Sequence, residues 1–185
     1  MPQAPILCIG AMWEARHVYW DAATTGELCG VPSRARRKPP KNFAEQSGIY
    51  VLYADFSPIY VGQCNKTLFW RLKMHHYEDD LAGRWDRFSW FGFRRAIAAG
   101  LSVAGVDFHI STRQLLDHLE ALLIHSFEPP MNGQEGRFGK KVIRYKQIRD
   151  KRLGPDDREL AEMTARNGKF LDAGYKITKR GWKSG

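Results

Sequence analysis

The stretch SGIYVLYADFSPIYVGQC, Ser47–Cys64, places two β-branched and aromatic runs on either side of an Asp-Phe-Ser-Pro turn. Gly48–Ala54 and Ile59–Gln63 have strand composition, and the turn residues between them predict an antiparallel hairpin. Side chains alternate along a strand, so Tyr50 shares a face with Gly48 and Leu52, and Tyr60 shares one with Gly62. Tyrosine is an ordinary strand residue, and either phenol alone fits a core or a rim as well as a site.

The residues behind the hairpin add chemistry. NKTLFWRLKMHHY predicts a helix that starts just after the second strand, with Asn65 or Thr67 as N-cap and Leu68 and Leu72 one turn apart. Arg71 and His75, four residues apart, lie on one face of that helix. DRFSWFGFRRA, Asp86–Ala96, reads as a third, buried strand. STRQLLDHLEALLIHSF, Ser111–Phe127, has leucines at 115, 116, 119, 122 and 123, a helical stripe closed by Pro129-Pro130. Glu120 lies within the stripe and needs a partner if buried, and Asn132 falls in the turn after the prolines.

Upstream, residues 1–33 alternate irregularly, with short strands expected at Ile6–Ile9 and His17–Trp20 and a turn near Gly26 and Gly30. SRARRKPPKN, Ser33–Asn42, has five basic residues and two prolines and reads as an exposed linker without a regular element. Residues 1–46 are expected to pack against the sheet or to recognise a partner.

The 185-residue chain carries 29 Lys and Arg against 20 Asp and Glu, a net charge of +9 that favours a polyanionic partner. That charge is uneven: residues 136–185 hold 15 basic and 6 acidic residues, whereas residues 47–135 hold 8 and 10. Cys8, Cys29 and Cys64 are odd in number and widely spaced, which argues against a disulfide framework or a structural zinc site and fits a reducing, cytoplasmic setting. No run of about 18 apolar residues occurs, so no membrane span is expected.

Two tyrosines, an arginine, a histidine, a glutamate and an asparagine form a kit suited to cutting a phosphodiester. The ordered set Gly48-Ile49-Tyr50, Tyr60-Val61-Gly62, Arg71 and His75 in TLFWRLKMHH, then Glu120 and Asn132 in LEALLIHSFEPPMN, resembles the GIY-YIG nuclease superfamily. The likeness spans roughly Ser47 to Gln134, about half the chain. It departs from the family pattern at Gln63, where several members have a lysine that Lys66 or Lys73 would replace, and in the long interval from Arg71 to Glu120.

The resemblance implies an α/β fold, a small three-stranded antiparallel sheet flanked by helices, with N-terminal (1–46) and basic C-terminal (136–185) extensions around a nuclease domain at 47–135. Its implied chemistry is metal-dependent hydrolysis of DNA to a 5′ phosphate and 3′ hydroxyl. Tyr50 would be the general base or water-orienting phenol, Tyr60 its positioning partner, Arg71 the phosphate clamp, and His75 a proton acceptor. Glu120 would be the one protein ligand to a single Mg²⁺ or Mn²⁺, and Asn132 would orient it. Lys66, Lys73, Arg137, Lys140, Lys141, Arg144 and Lys146 would contact nucleic acid. One such site cuts one strand, so a double-strand break requires a homodimer, a partner protein or two successive events. Phage defence or restriction is the expected setting. The competing readings are a catalytically silent nucleic-acid-binding module and a ribonuclease or toxin-like effector acting on RNA.

Overall fold

The computed structural model describes residues 5–22, 26–34, 38–103, 111–127, 138, 142–156 and 160. The chain forms two compact units, Met1–Asp150 and Lys151–Gly185. Within the second, the described residues include a short 3-10 helix, Lys151–Leu153.

The first unit is built on β1 (Cys8–Glu14), β2 (Cys29–Pro32), β3 (Lys41–Asn42), β4 (Gly48–Ala54), β5 (Ser57–Cys64), helix α1 (Leu68–Tyr77), β6 (Arg87–Gly92), β7 (Ala96–Ile97), β8 (Gly100–Leu101), helix α2 (Thr112–Phe127) and β9 (Ile143–Gln147). Seven strands form one sheet in the order β3-β2-β9-β1-β6-β4-β5, while β7 and β8 form a separate two-stranded ribbon. The pairings are antiparallel except β1 with β9.

The expected small three-stranded sheet flanked by helices is therefore corrected: this is a large mixed sheet with a second small one, and two α-helices among the described residues. The predicted strands are present as β5-β4-β6, but β6 does not end the sheet. Its other edge pairs with β1, and β1 pairs in turn with β9. The expected strand at His17–Trp20 is instead a 3-10 turn, Ala15–His17, followed by a bend. Lys41–Asn42, placed in a linker by the sequence reading, pairs with Cys29–Gly30.

Both faces of the sheet are covered. On one, Tyr50, Leu52, Trp13, Phe88, Trp90 and Tyr145 pack with Leu68, Phe69 and Leu72 of α1. On the other, Ile9, Val51, Tyr53 and Phe91 pack with Ala121 of α2 and Phe138. Ser111 and Gln114 form a capping box on α2: the Ser111 hydroxyl accepts the Gln114 N–H at 3.3 Å, and the Gln114 side chain accepts the Ser111 N–H at 3.0 Å. α2 turns His118, Ala121 and Ser126 inward, with the rings of His118 and His125 at 5.8 and 5.2 Å from Phe138. Leu115, Leu116, Leu119 and Leu123 are exposed. No helix among the described residues is long and apolar enough to cross a membrane.

Candidate functional site

The hairpin closes through Asp55 and Phe56, both at positive φ (48° and 71°), the geometry of a two-residue type I′ turn. Pro58 then falls on the edge strand, where its missing N–H costs no ladder bond between partners, and a register shift follows. Past the shift, Tyr60 stands opposite Leu52 and Gly62 opposite Tyr50. Tyr50 and Tyr60 are thus diagonal neighbours on the face that α1 covers, with ring centroids 6.2 Å apart.

The two triplet glycines have different steric duties. At Gly48 φ is +152°, and a Cβ there would meet the Phe91 carbonyl oxygen at 2.0 Å, so only glycine lets β4 lie this close to β6. A Cβ on Gly62 would sit 2.3 Å from the Cζ and hydroxyl of Tyr50. The missing side chain is the space that the phenol fills.

α1 is tied to the segment before β4 by Leu68 and Phe69 N–H groups that donate to Gln46 and Ala44 carbonyls at 3.1 and 3.0 Å. Thr67 is its N-cap residue, without a side-chain cap. Leu68, Leu72 and His75 follow the helical i, i+4, i+7 row, which turns all three onto the sheet. His75 is thereby only 4% exposed, and its Nε2 lies 2.7 Å from the hydroxyl of Tyr50, which is fully buried. The Tyr60 ring is 4.9 Å from the imidazole. Nδ1 of His75 is hydrogen-bonded to Asp79, and the His75 carbonyl accepts the Trp85 indole N–H at 3.0 Å.

Arg71 is exposed at the rim, close enough for its charge to act on both Tyr50 and Asp79. Burial, followed by the neighbouring Tyr60 phenol, pushes the Tyr50 hydroxyl up to about 12, against the smaller pull of Arg71. Tyr50 is therefore protonated at neutral pH. Burial alone would raise the Asp79 carboxyl, but the Leu81 N–H, the His75 hydrogen bond and the charge of Arg71 outweigh it and hold the group below the ordinary carboxylate value.

Four sequence candidates are thus brought together: Tyr50, Tyr60, Arg71 and His75. Glu120 is exposed on α2, and among the described residues no hydrogen bond or ion pair links it to them. Among the described residues, no three His, Cys, Asp or Glu side chains gather around a common point. A lone carboxylate suits only a hard cation that keeps most of its waters, such as Mg²⁺, but α2 packs on the sheet face opposite α1, so the sheet lies between the helix of Glu120 and the cluster. Asn132, Arg137, Lys140 and Lys141 lie outside the described residues.

The other basic candidates divide between the two faces. Lys66 is exposed in the turn between β5 and α1, and Lys73 donates to the Ala22 carbonyl at 3.1 Å. On β9, Tyr145 points to the α1 face, so Arg144 and Lys146 point to the opposite one, and Arg144 lies 3.1 Å from the His125 ring nitrogens. Cys64 is buried, its thiol donating to the Gln46 carbonyl at 3.3 Å, and burial pushes it up to about 11, which suits a filler rather than a nucleophile.

Asp79 is the residue that the sequence reading missed. It lies just past α1 and its C-cap Glu78, outside the helical span in which i, i+4 pairs are sought, although its spacing from His75 is four.

Comparison with protein-family models, with curated proteins and with solved structures finds no match.

Proposed function

We propose that the protein is an endonuclease that hydrolyses DNA phosphodiester bonds at the Tyr50, Tyr60, Arg71 and His75 cluster. The observation that carries this reading is the convergence of four residues from β4, β5 and α1, with the Tyr50 hydroxyl bonded to His75 in the space left by Gly62. Arg71, exposed and permanently charged, is suited to hold a phosphate and to offset the charge that builds in the transition state. Tyr60 is half-buried and faces solvent more than Tyr50 does.

With its hydroxyl pushed up to about 12, Tyr50 acts as a proton relay and not as a standing phenolate. The attacking water forms the new P–O bond and gives its proton to the phenol oxygen, while the phenolic proton passes to His75 Nε2. The P–O3′ bond breaks, and the 3′ oxygen takes a proton from solvent. Glu120 would hold one Mg²⁺ or Mn²⁺ on the helix that covers the opposite face of the sheet, so no step at the cluster is routed through that ion.

One observation favours the second reading, a binding module without catalysis. Tyr50 is fully buried, and a Tyr–His pair of this kind also fastens α1 to the sheet. The two are separated by incubating supercoiled plasmid, single-stranded DNA and RNA with wild type, Arg71→Ala and Glu120→Ala, with Mg²⁺ or Mn²⁺ and with chelator. DNA cutting that falls about 100-fold or more in Arg71→Ala is expected, and an equal fall in Glu120→Ala would bring α2 and its ion into the site. Failure of the wild type to cut any substrate, with binding retained, would overturn the nuclease in favour of the module; cutting of RNA alone would move the assignment to a ribonuclease.

A further inference from the structure

We infer that Asp79 is a positioning residue: it holds His75 in the tautomer whose Nε2 is free to receive the Tyr50 proton. The inference rests on the proposed reaction only for its effect on rate.

It begins with what neutral imidazole can offer. The ring has one N–H and one lone pair, and the partner of either nitrogen decides where the proton sits. Here both nitrogens are engaged, Nε2 by Tyr50 and Nδ1 by Asp79. Two lone pairs cannot face each other at hydrogen-bond distance, so an ionised Asp79 requires the proton on Nδ1. Nε2 is left as the acceptor, and the only proton available to that contact is the Tyr50 hydroxyl.

The carboxylate is itself fixed from the other side. Its Oδ1 accepts the Leu81 N–H at 2.9 Å, and the Asp79 carbonyl accepts the Ala82 N–H at 2.9 Å, so the turn after α1 holds Oδ2 against His75. The Asp79 side chain is 39% exposed whereas that of His75 is 5%, which places the polar end of the chain at the surface and the imidazole beneath it. When the phenolic O–H bond breaks and an N–H bond forms at Nε2, the resulting imidazolium faces an anion that needs no rearrangement to stabilise it. Water restores the Tyr50 proton.

Asp79→Asn isolates this role. Asparagine keeps an Oδ1 for the Leu81 N–H, so the turn is preserved, but it presents an amide N–H to Nδ1. The proton then moves to Nε2, and His75 loses its acceptor toward Tyr50. An Asp-to-Asn change of this type, in another His-based catalytic unit, acts through the wrong tautomer at intact geometry. In nitrogen-15 NMR of the full chain, the His75 ring signals are expected to report Nδ1–H in the wild type and Nε2–H in Asp79→Asn. On the proposed substrate, kcat is expected to fall on the order of 10²- to 10⁴-fold with KM little changed.

Nε2–H in the wild type, or Nδ1–H persisting in the folded variant, would overturn the inference. The wild-type spectrum alone decides the first of these should the variant not fold. The spectra need no turnover, so a wild type that cuts nothing overturns the nuclease reading while the assignment of Asp79 is judged separately.

Discussion

At the scale of the residue, the site depends on an absent side chain as much as on those present. Gly62 faces Tyr50 across the β4–β5 pair, and the phenol occupies the volume that any Cβ would take. The nearest atoms are the ring Cζ and hydroxyl of a fully buried tyrosine, which cannot swing out to solvent as a surface side chain would. Gly62→Ala is expected to displace the Tyr50 hydroxyl from His75 and to destabilise the fold by about 1–3 kcal/mol, the usual cost of overpacking. Urea denaturation measures the loss, and the DNA-cutting rate is expected to drop at least tenfold with it. An unchanged denaturation midpoint would mean that the edge strand yields freely, and that Gly62 does not hold the phenol in place.

At the scale of the element, what could be read from the sequence followed from regular periodicity. The hairpin, α1, the buried strand at Arg87–Gly92 and α2 each show a regular pattern of strand or helix residues, the hairpin's own register shift lying beside its turn at Pro58. The strands that complete the sheet do not. β1 has a register shift between Gly10 and Trp13, with Met12 at φ 52° and its N–H donated to the Ser89 hydroxyl at 2.9 Å, so alternation fails in mid-strand. Gly30 resembled a turn residue, yet it lies in β2, where a Cβ would meet the Trp13 indole at 2.8 Å. Within the site, Tyr50, Tyr60, Arg71 and His75 were readable because strand alternation and helical spacing bring them to one place; Asp79 was not, because it lies past the helix end. β1 is a central strand, and its Trp13 makes edge contacts with Phe43, Phe88 and Trp90 while its Nε1–H donates to the Tyr145 carbonyl at 3.2 Å. Trp13→Ala is expected to cost about 3–5 kcal/mol and to unfold the sheet cooperatively. A loss below about 1 kcal/mol in chemical denaturation would show that β1 is peripheral.

At the scale of the whole molecule, the core that supports the site also stores protons. Burial raises the thiol of Cys64 on β5 from an ordinary 9.0 to about 11, and the hydroxyls of Tyr50 on β4 and Tyr145 on β9 from 10.0 to about 12. These three groups span the sheet from its β5 edge to β9. Each binds its proton more tightly folded than unfolded, so its contribution to stability is complete below the ordinary value and is lost as the pH rises through the folded one. Stability against urea is therefore expected to decline from about pH 9 and to fall most steeply between about pH 10 and 12, as the unfolded chain ionises groups that the core keeps neutral. Tyr145→Phe keeps a ring against Phe43, whose centroid is 4.5 Å away, and removes one of the three groups. Its stability curve is expected to be shallower than that of the wild type above pH 10, whatever its midpoint at pH 7. Parallel curves for the two proteins would mean that the Tyr145 hydroxyl ionises alike in the folded and unfolded chains, and that burial on β9 does not hold its proton.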